Sequence, residues 1–147
     1  MQRVLIVDDD LSACVAITNF LRDSFTMMAC HDGWDIIELM RTFSPDLILL
    51  DINLPGPNGF RLLKQIREQA GDIPVFMISV RSGEEDLLMA FDLGAADYLI
   101  KPFSLPFSGQ ESFAGWKSFA RNHFCDWEKW KFIFRAERFS GRMGWKN

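Results

Sequence analysis

The chain has 147 residues, 48% of them hydrophobic and 24% charged, and carries a formal net charge of −4. That size and balance suit one globular, soluble domain with a real core. No apolar run approaches the roughly 18 residues needed to cross a membrane, and Met1-Gln2-Arg3 is too short for a signal peptide, so a cytoplasmic chain is expected.

In chain order, Val4–Val7 reads as a buried strand, and Ala13–Phe20 with Leu21 has helical spacing. Thr26–Cys30 is a weaker strand. Trp34–Met40 reads as a helix with Ile36, Ile37, Leu39 and Met40 on its inner side. Leu47–Leu50 is strongly apolar, and the "NLPGPNG" that follows is dense turn chemistry. Phe60–Ala70 is amphipathic: Leu62, Leu63 and Ile66 point inward and Arg61, Lys64 and Arg67 outward. Ile73–Ile78 is a strand. Ser82-Gly-Glu-Glu85 has capping-box spacing and opens a helix through Leu93, stopped by Gly94. Tyr98–Ile100 is the last strand. Continuous apolar strands alternating with helices imply an α/β fold: a doubly wound five-stranded parallel sheet with helices on both faces. A ligand site then belongs beyond the C-terminal ends of the strands.

Those ends carry a definite set of groups. Strand one ends in Asp8-Asp9-Asp10, strand three in Asp51 followed by Asn53, strand four in Ser79, and strand five in Lys101-Pro102. A lone aspartate after a strand is often a helix cap, and Asp10 fits that role beside the positive end of the first helix. A lone serine or lysine carries no signal. The combination is another matter. Clustered carboxylates oppose one another's ionisation unless a cation joins them, and carboxylates with a backbone carbonyl and water are what Mg²⁺ prefers. Lysine supplies a compact charge for a phosphate oxygen, and serine a small donor. Together they suit a phosphoryl group carried on an aspartate nucleophile.

Residues 1–103 closely resemble the receiver domain of two-component response regulators, through "VLIVDDD", "PDLILLDINLPGPNGF", "IPVFMISV" and "GAADYLIKPF". The resemblance implies the flavodoxin-like strand order 2-1-3-4-5. It implies Asp51 as the phosphoacceptor, served by a sensor histidine kinase. For Mg²⁺ it implies Asp9 as a direct ligand, Asp8 acting partly through water, Asp51 itself and the Asn53 carbonyl. Lys101 is the expected contact to the phosphoryl group, joined to Pro102 by a cis peptide that costs only about 0.5–1 kcal/mol. Ser79 and Tyr98 match the switch pair that shifts the surface of the fourth helix, fifth strand and fifth helix, a face on which the family also forms homodimers. Val80 departs from the small residue usual after the switch hydroxyl. Two other classes compete. An Asp-nucleophile phosphatase usually needs a second aspartate where this chain has Asn53, and a stand-alone adaptor signals through phosphate-independent protein contacts.

A seam follows. Residues 1–102 carry 8 basic and 16 acidic side chains, whereas residues 103–147 carry 8 basic and 4 acidic ones together with 12 of the 20 aromatics. We expect a receiver over 1–107 and an atypical tail over 108–147. Three readings of the tail compete. Ser108-Gly-Gln-Glu111 is a capping box for a helix that would set Phe113 and Trp116 against the sheet. The basic-aromatic mix suits nucleic acid, though no helix-turn-helix pattern is present. Third, Phe and Trp codons both begin with T; read one base earlier they give second-position T, which encodes apolar residues, so the tail reads as a frame-shifted piece of a winged-helix effector. On that reading the parent was a DNA-binding transcriptional regulator, and this chain does not bind DNA specifically. Cys14, Cys30 and Cys125 form no CxxC pair, and His31 and His123 are not at metal-ligand spacing, so reduced thiols are expected.

Overall fold

The computed structural model describes residues 2–100, apart from Ser24, Ala70, Gly71 and Ser82. The expected Lys101–Pro102 peptide, fifth helix, tail and Cys125 lie outside the described residues. The elements run β1 (Gln2–Val7), α1 (Leu11–Leu21), β2 (Phe25–Cys30), α2 (Ile36–Phe43), β3 (Leu47–Asp51), α3 (Gly59–Gln69), β4 (Val75–Ser79), α4 (Glu84–Asp92) and β5 (Asp97–Ile100). All strand pairs are parallel, in the order β2-β1-β3-β4-β5.

Strand alternation divides the core in two. Leu5, Val7, Ile48, Leu50, Val75 and Met77 pack with Ile36 and Met40 of α2, Leu62, Leu63 and Ile66 of α3, and Ala90 of α4. Val4, Ile6, Leu47, Leu49, Phe76 and Ile78 face the other way, with Cys14, Ile17 and Leu21 of α1. Both faces are covered, so β1, β3 and β4 read as unbroken apolar runs rather than alternating ones. Each such buried aliphatic side chain contributes about 1.5–3 kcal/mol.

Local chemistry sets the helix ends. The Asp10 side chain accepts from the Ala13 N–H and caps α1, as its position implied. Asn58 Oδ1 accepts from the Arg61 N–H at 3.0 Å and opens α3. The second helix starts later than the apolar spacing predicts, at Ile36 rather than Trp34. The reason is an Asx-type turn: Asp32 Oδ1 captures the Trp34 N–H at 3.1 Å and diverts the chain from a helical path. The fourth helix begins after Gly83, which has no side chain to cap it, and Ser82 of the expected capping box lies outside the described residues. Three acids, Glu84, Glu85 and Asp86, instead complement the positive end of its dipole. Gly94 ends it at φ +98°.

Arg67 corrects a second expectation. It turns inward, and Nε and Nη2 donate to the Gly94 carbonyl at 3.0 and 2.8 Å while Nη1 donates to the Ile73 carbonyl. Periodicity placed it outside because only its stem follows the helix surface; the fork reaches over to the two neighbouring loops. Burial lowers its pKa to about 10, with partial offset from Asp72. A Cβ on residue 94 would lie 2.9 Å from Arg67 Nε, so Gly94 also makes room for this clasp.

Replacing Arg67 with Met strips two carbonyls of charged donors. We expect a loss on the order of 2–3 kcal/mol, read as a lower urea midpoint at unchanged slope. Arg67→Lys recovers only part of it, because a compact ammonium cannot reproduce the planar fork.

Candidate functional site

The site grows from the β1–β3 register. Val7 pairs with Leu50, so one residue further Asp8 and Asp51 leave adjacent strands side by side. Both are buried, at 0% and 5% exposure, while Asp9 is exposed on the rim. Oxygens of the Asp8, Asp9 and Asp51 carboxylates all lie within 4.8 Å of one another. Three like charges at that spacing repel strongly in a partly dry setting, and a small divalent cation between them reverses the sign of the interaction. An all-oxygen donor set with one exposed member fits Mg²⁺, which keeps several of its waters.

The surrounding backbone holds these acids in place. Asp8 Oδ1 accepts from the Asp10 N–H at 2.9 Å, and Asp51 Oδ1 accepts from the Asn53 N–H at 3.3 Å. The β3–α3 loop closes tightly: the Leu54 and Gly59 N–H groups both donate to the Ile52 carbonyl, at 3.1 and 2.8 Å. A Cβ on Gly59 would collide with the Asp51 carbonyl oxygen, so only glycine lets α3 begin this close to the acid. Gly56, at φ +80°, has the Trp34 indole laid directly against it.

Ser79 and Tyr98 share one face of the sheet, since Met77 pairs with Tyr98 and Ser79 follows Met77 by two residues. Ser79 is fully buried and Tyr98 is 9% exposed. Both grip the same residue. Ser79 Oγ accepts the Arg81 N–H at 3.1 Å, and the Tyr98 hydroxyl donates to the Arg81 carbonyl at 2.8 Å. Arg81 Nη1 in turn meets Asp86 Oδ1 at 3.4 Å, tying this peptide to the first turn of α4. Nothing in the sequence singled Arg81 out, because its part is played by backbone atoms and every residue has those.

Of the eight site residues expected from sequence, the structure places Asp8, Asp9 and Asp51 together, sets the Asn53 backbone against Asp51, and puts Ser79 beside Tyr98 through Arg81. Lys101 and Pro102 lie outside the described residues. Cys14 and Cys30 are free thiols, as expected. Among the described residues no helix is long and apolar enough to cross a membrane.

Residues 4–106 match the family model described as "Response regulator receiver domain". The chain is 37% identical over 103 residues to the DNA-binding response regulator MtrA of Mycolicibacterium paratuberculosis, covering 69% of this chain and 45% of that protein. It is 39% identical over 105 residues to the transcriptional regulatory protein CiaR of Streptococcus pneumoniae, covering 71% and 47%. The chain thus spans less than half the length of these relatives. Its fold matches the crystal structure of a CheY-like response regulator receiver domain protein from Methanospirillum hungatei with a TM-score of 0.72, at 21% identity, over 88% of this chain and 98% of that one.

Tyr98 is the only tyrosine in the chain, so phenolate absorbance reports it alone. Burial is the largest cause raising its pKa above the usual 10, reinforced by Asp86 and Asp51 and partly offset by Ser79 and Arg81. A pKa raised on folding favours the protonated phenol in the folded state. Its stabilising contribution is therefore full below about pH 10 and is lost as pH rises through the higher folded value. Spectrophotometric titration should give a midpoint above that of the urea-unfolded chain; coincident midpoints would contradict the buried, bonded ring.

Proposed function

The chain belongs to the response regulator receiver domain family, and from that membership we propose that Asp51 accepts a phosphoryl group from a sensor histidine kinase. Phosphorylation of an aspartate in two-component signalling is the general function of the family. The observation that carries the assignment to this residue is the convergence of the Asp8, Asp9 and Asp51 carboxylates within 4.8 Å at the ends of β1 and β3.

In this reading an Asp51 oxygen attacks the phosphorus of a phosphohistidine in line. The new P–O bond forms as the P–N bond breaks, and the released imidazole nitrogen takes a proton from solvent. Asp8, Asp9, Asp51 and the Asn53 backbone carbonyl would hold Mg²⁺, which supplies charge neutralisation on the phosphoryl oxygens. Asp51 is enclosed on its strand and steadied by the Asn53 N–H, so its approach direction is preset. Lys101 follows Ile100, the register partner of Ser79, and its sequence position assigns it to a phosphoryl oxygen.

The output follows from the Arg81 peptide. The Ser79 oxygen accepts from Arg81, and its hydrogen can turn from the Tyr98 hydroxyl toward a phosphoryl oxygen. A Ser79 drawn toward Asp51 pulls on the Arg81 N–H, and Tyr98 holds the other end of the same residue. The pull reaches α4 through Arg81 and Asp86, so the surface of α4 and β5 changes with phosphorylation. That is a signalling role, with self-phosphorylation and self-dephosphorylation as its only chemistry, in the cytoplasm. Homodimers on the α4-β5 side are the assembly this reading favours. This reading assigns no sequence-specific DNA binding to residues 1–147.

With a small acyl phosphate donor and Mg²⁺, the wild-type chain should take up one phosphoryl group in a hydroxylamine-sensitive linkage, and Asp51→Asn should take up none. Labelling that survives in Asp51→Asn sinks the assignment. Many turnovers per chain would indicate a phosphatase, and unchanged partner affinity in Asp51→Asn would indicate a phosphate-independent adaptor. Val80 is 66% exposed beside Ser79. Its bulk at the rim restricts water, so the wild-type phosphoryl group should decay several-fold more slowly than that of Val80→Ala. Equal or faster wild-type decay would count against this role for Val80.

A further inference from the structure

Asp8 is held at three points. Its N–H donates to the Cys30 carbonyl at 3.0 Å and continues the β1–β2 ladder. Its Oδ1 is engaged by Asp10. Its carbonyl oxygen receives two side-chain donors: the Cys14 thiol from α1 at 3.3 Å and His31 Nδ1 from beyond β2 at 3.2 Å. A carbonyl oxygen only accepts, so His31 carries its hydrogen on Nδ1 in this arrangement. The two donors lie 3.9 Å apart and come from different elements.

The target of these bonds is what matters. The Asp8 carbonyl belongs to the peptide that joins Asp8 to Asp9, the two acids that β1 brings to the pocket. Rotating that peptide redirects Asp9, whose side chain is exposed. The ladder holds Asp8 through its N–H, and the side-chain clamp adds a hold on its carbonyl just past the end of β1.

We infer that Cys14 and His31 are positioning residues for the acidic pocket: by fixing the Asp8 carbonyl they aim the Asp8 and Asp9 carboxylates at a shared cation. The inference rests on the reading of that pocket as a Mg²⁺ site. Neither residue touches the cation or the phosphoryl group in this role. Both line a cleft of about 340 Å³ with residues of α1 and β2, so trimming them widens an existing cleft and opens no sealed void.

The test is Mg²⁺ affinity by calorimetry at one fixed pH, with the melting temperature of the metal-free protein measured in parallel. Losing one orienting hydrogen bond corresponds to roughly threefold to tenfold in affinity. Cys14→Ala and His31→Phe should each weaken Mg²⁺ binding about threefold, and the double variant about tenfold. Cys14→Ser and His31→Asn keep a donor in place and should bind like wild type, whatever their melting temperatures. A double variant within twofold of wild type overturns the inference; if it fails to fold, the two single variants decide by the same criterion. Absence of Mg²⁺ binding in the wild-type chain instead overturns the reading of the pocket, and the inference with it.

Discussion

Val7 lies opposite Leu50, and that register forces Asp8 and Asp51 out of neighbouring strands at the same level. The rest of the site answers the electrostatic problem this creates. Two buried carboxylates and a third on the rim repel unless something positive joins them. The pocket keeps its acids apart from the solvent yet leaves Asp9 exposed, an arrangement that admits a hydrated cation without dissolving the geometry. Backbone N–H groups from Asp10 and Asn53 share the load by bonding the carboxylate oxygens.

The scaffold keeps this crowding in place from both sides. One face presses Val4, Ile6, Leu47 and Leu49 against α1, and the opposite face packs Leu5, Val7, Ile48 and Leu50 against α2 and α3. Slipping β3 by a single residue would send Leu47, Ile48, Leu49 and Leu50 to the wrong faces, so the register that joins the acids is also the one the core demands. Gly59 belongs to the same constraint, because the start of α3 runs against the Asp51 carbonyl. Arg67 closes the far end by tying α3 to the loops before β4 and β5.

The proposed movement has a separate origin. Ser79 and Tyr98 lie side by side and also hold opposite ends of the Arg81 residue. A hydroxyl that shifts by a small distance therefore displaces a peptide rather than a lone side chain. The peptide leads toward α4, whose N-cap Gly83 has no side chain and whose first turn carries three acids that complement its dipole. The most acid-rich helix start among the described residues is thus the one that follows Arg81.

The strands, their parallel arrangement and the acids at their ends were legible in the residues, because both are local signals: buried runs of Val, Ile and Leu, and the first polar residue after each. Asp8, Asp9, Asp51 and Ser79 could be named that way, and Tyr98 through the resemblance to receiver domains. The strand order came with the resemblance to receiver domains, since periodicity has no knowledge of which strands neighbour one another. Tertiary structure decided what depends on atoms distant in sequence. Arg67 turned inward because carbonyls 6 and 27 residues away needed its fork. Helix α2 started late because Asp32 took the Trp34 N–H. Arg81 became a link, and Cys14 and His31 a clamp, through contacts with backbone groups that carry no residue identity. A sequence states which side chains emerge from a strand; only the packed molecule states which backbone oxygen each will find.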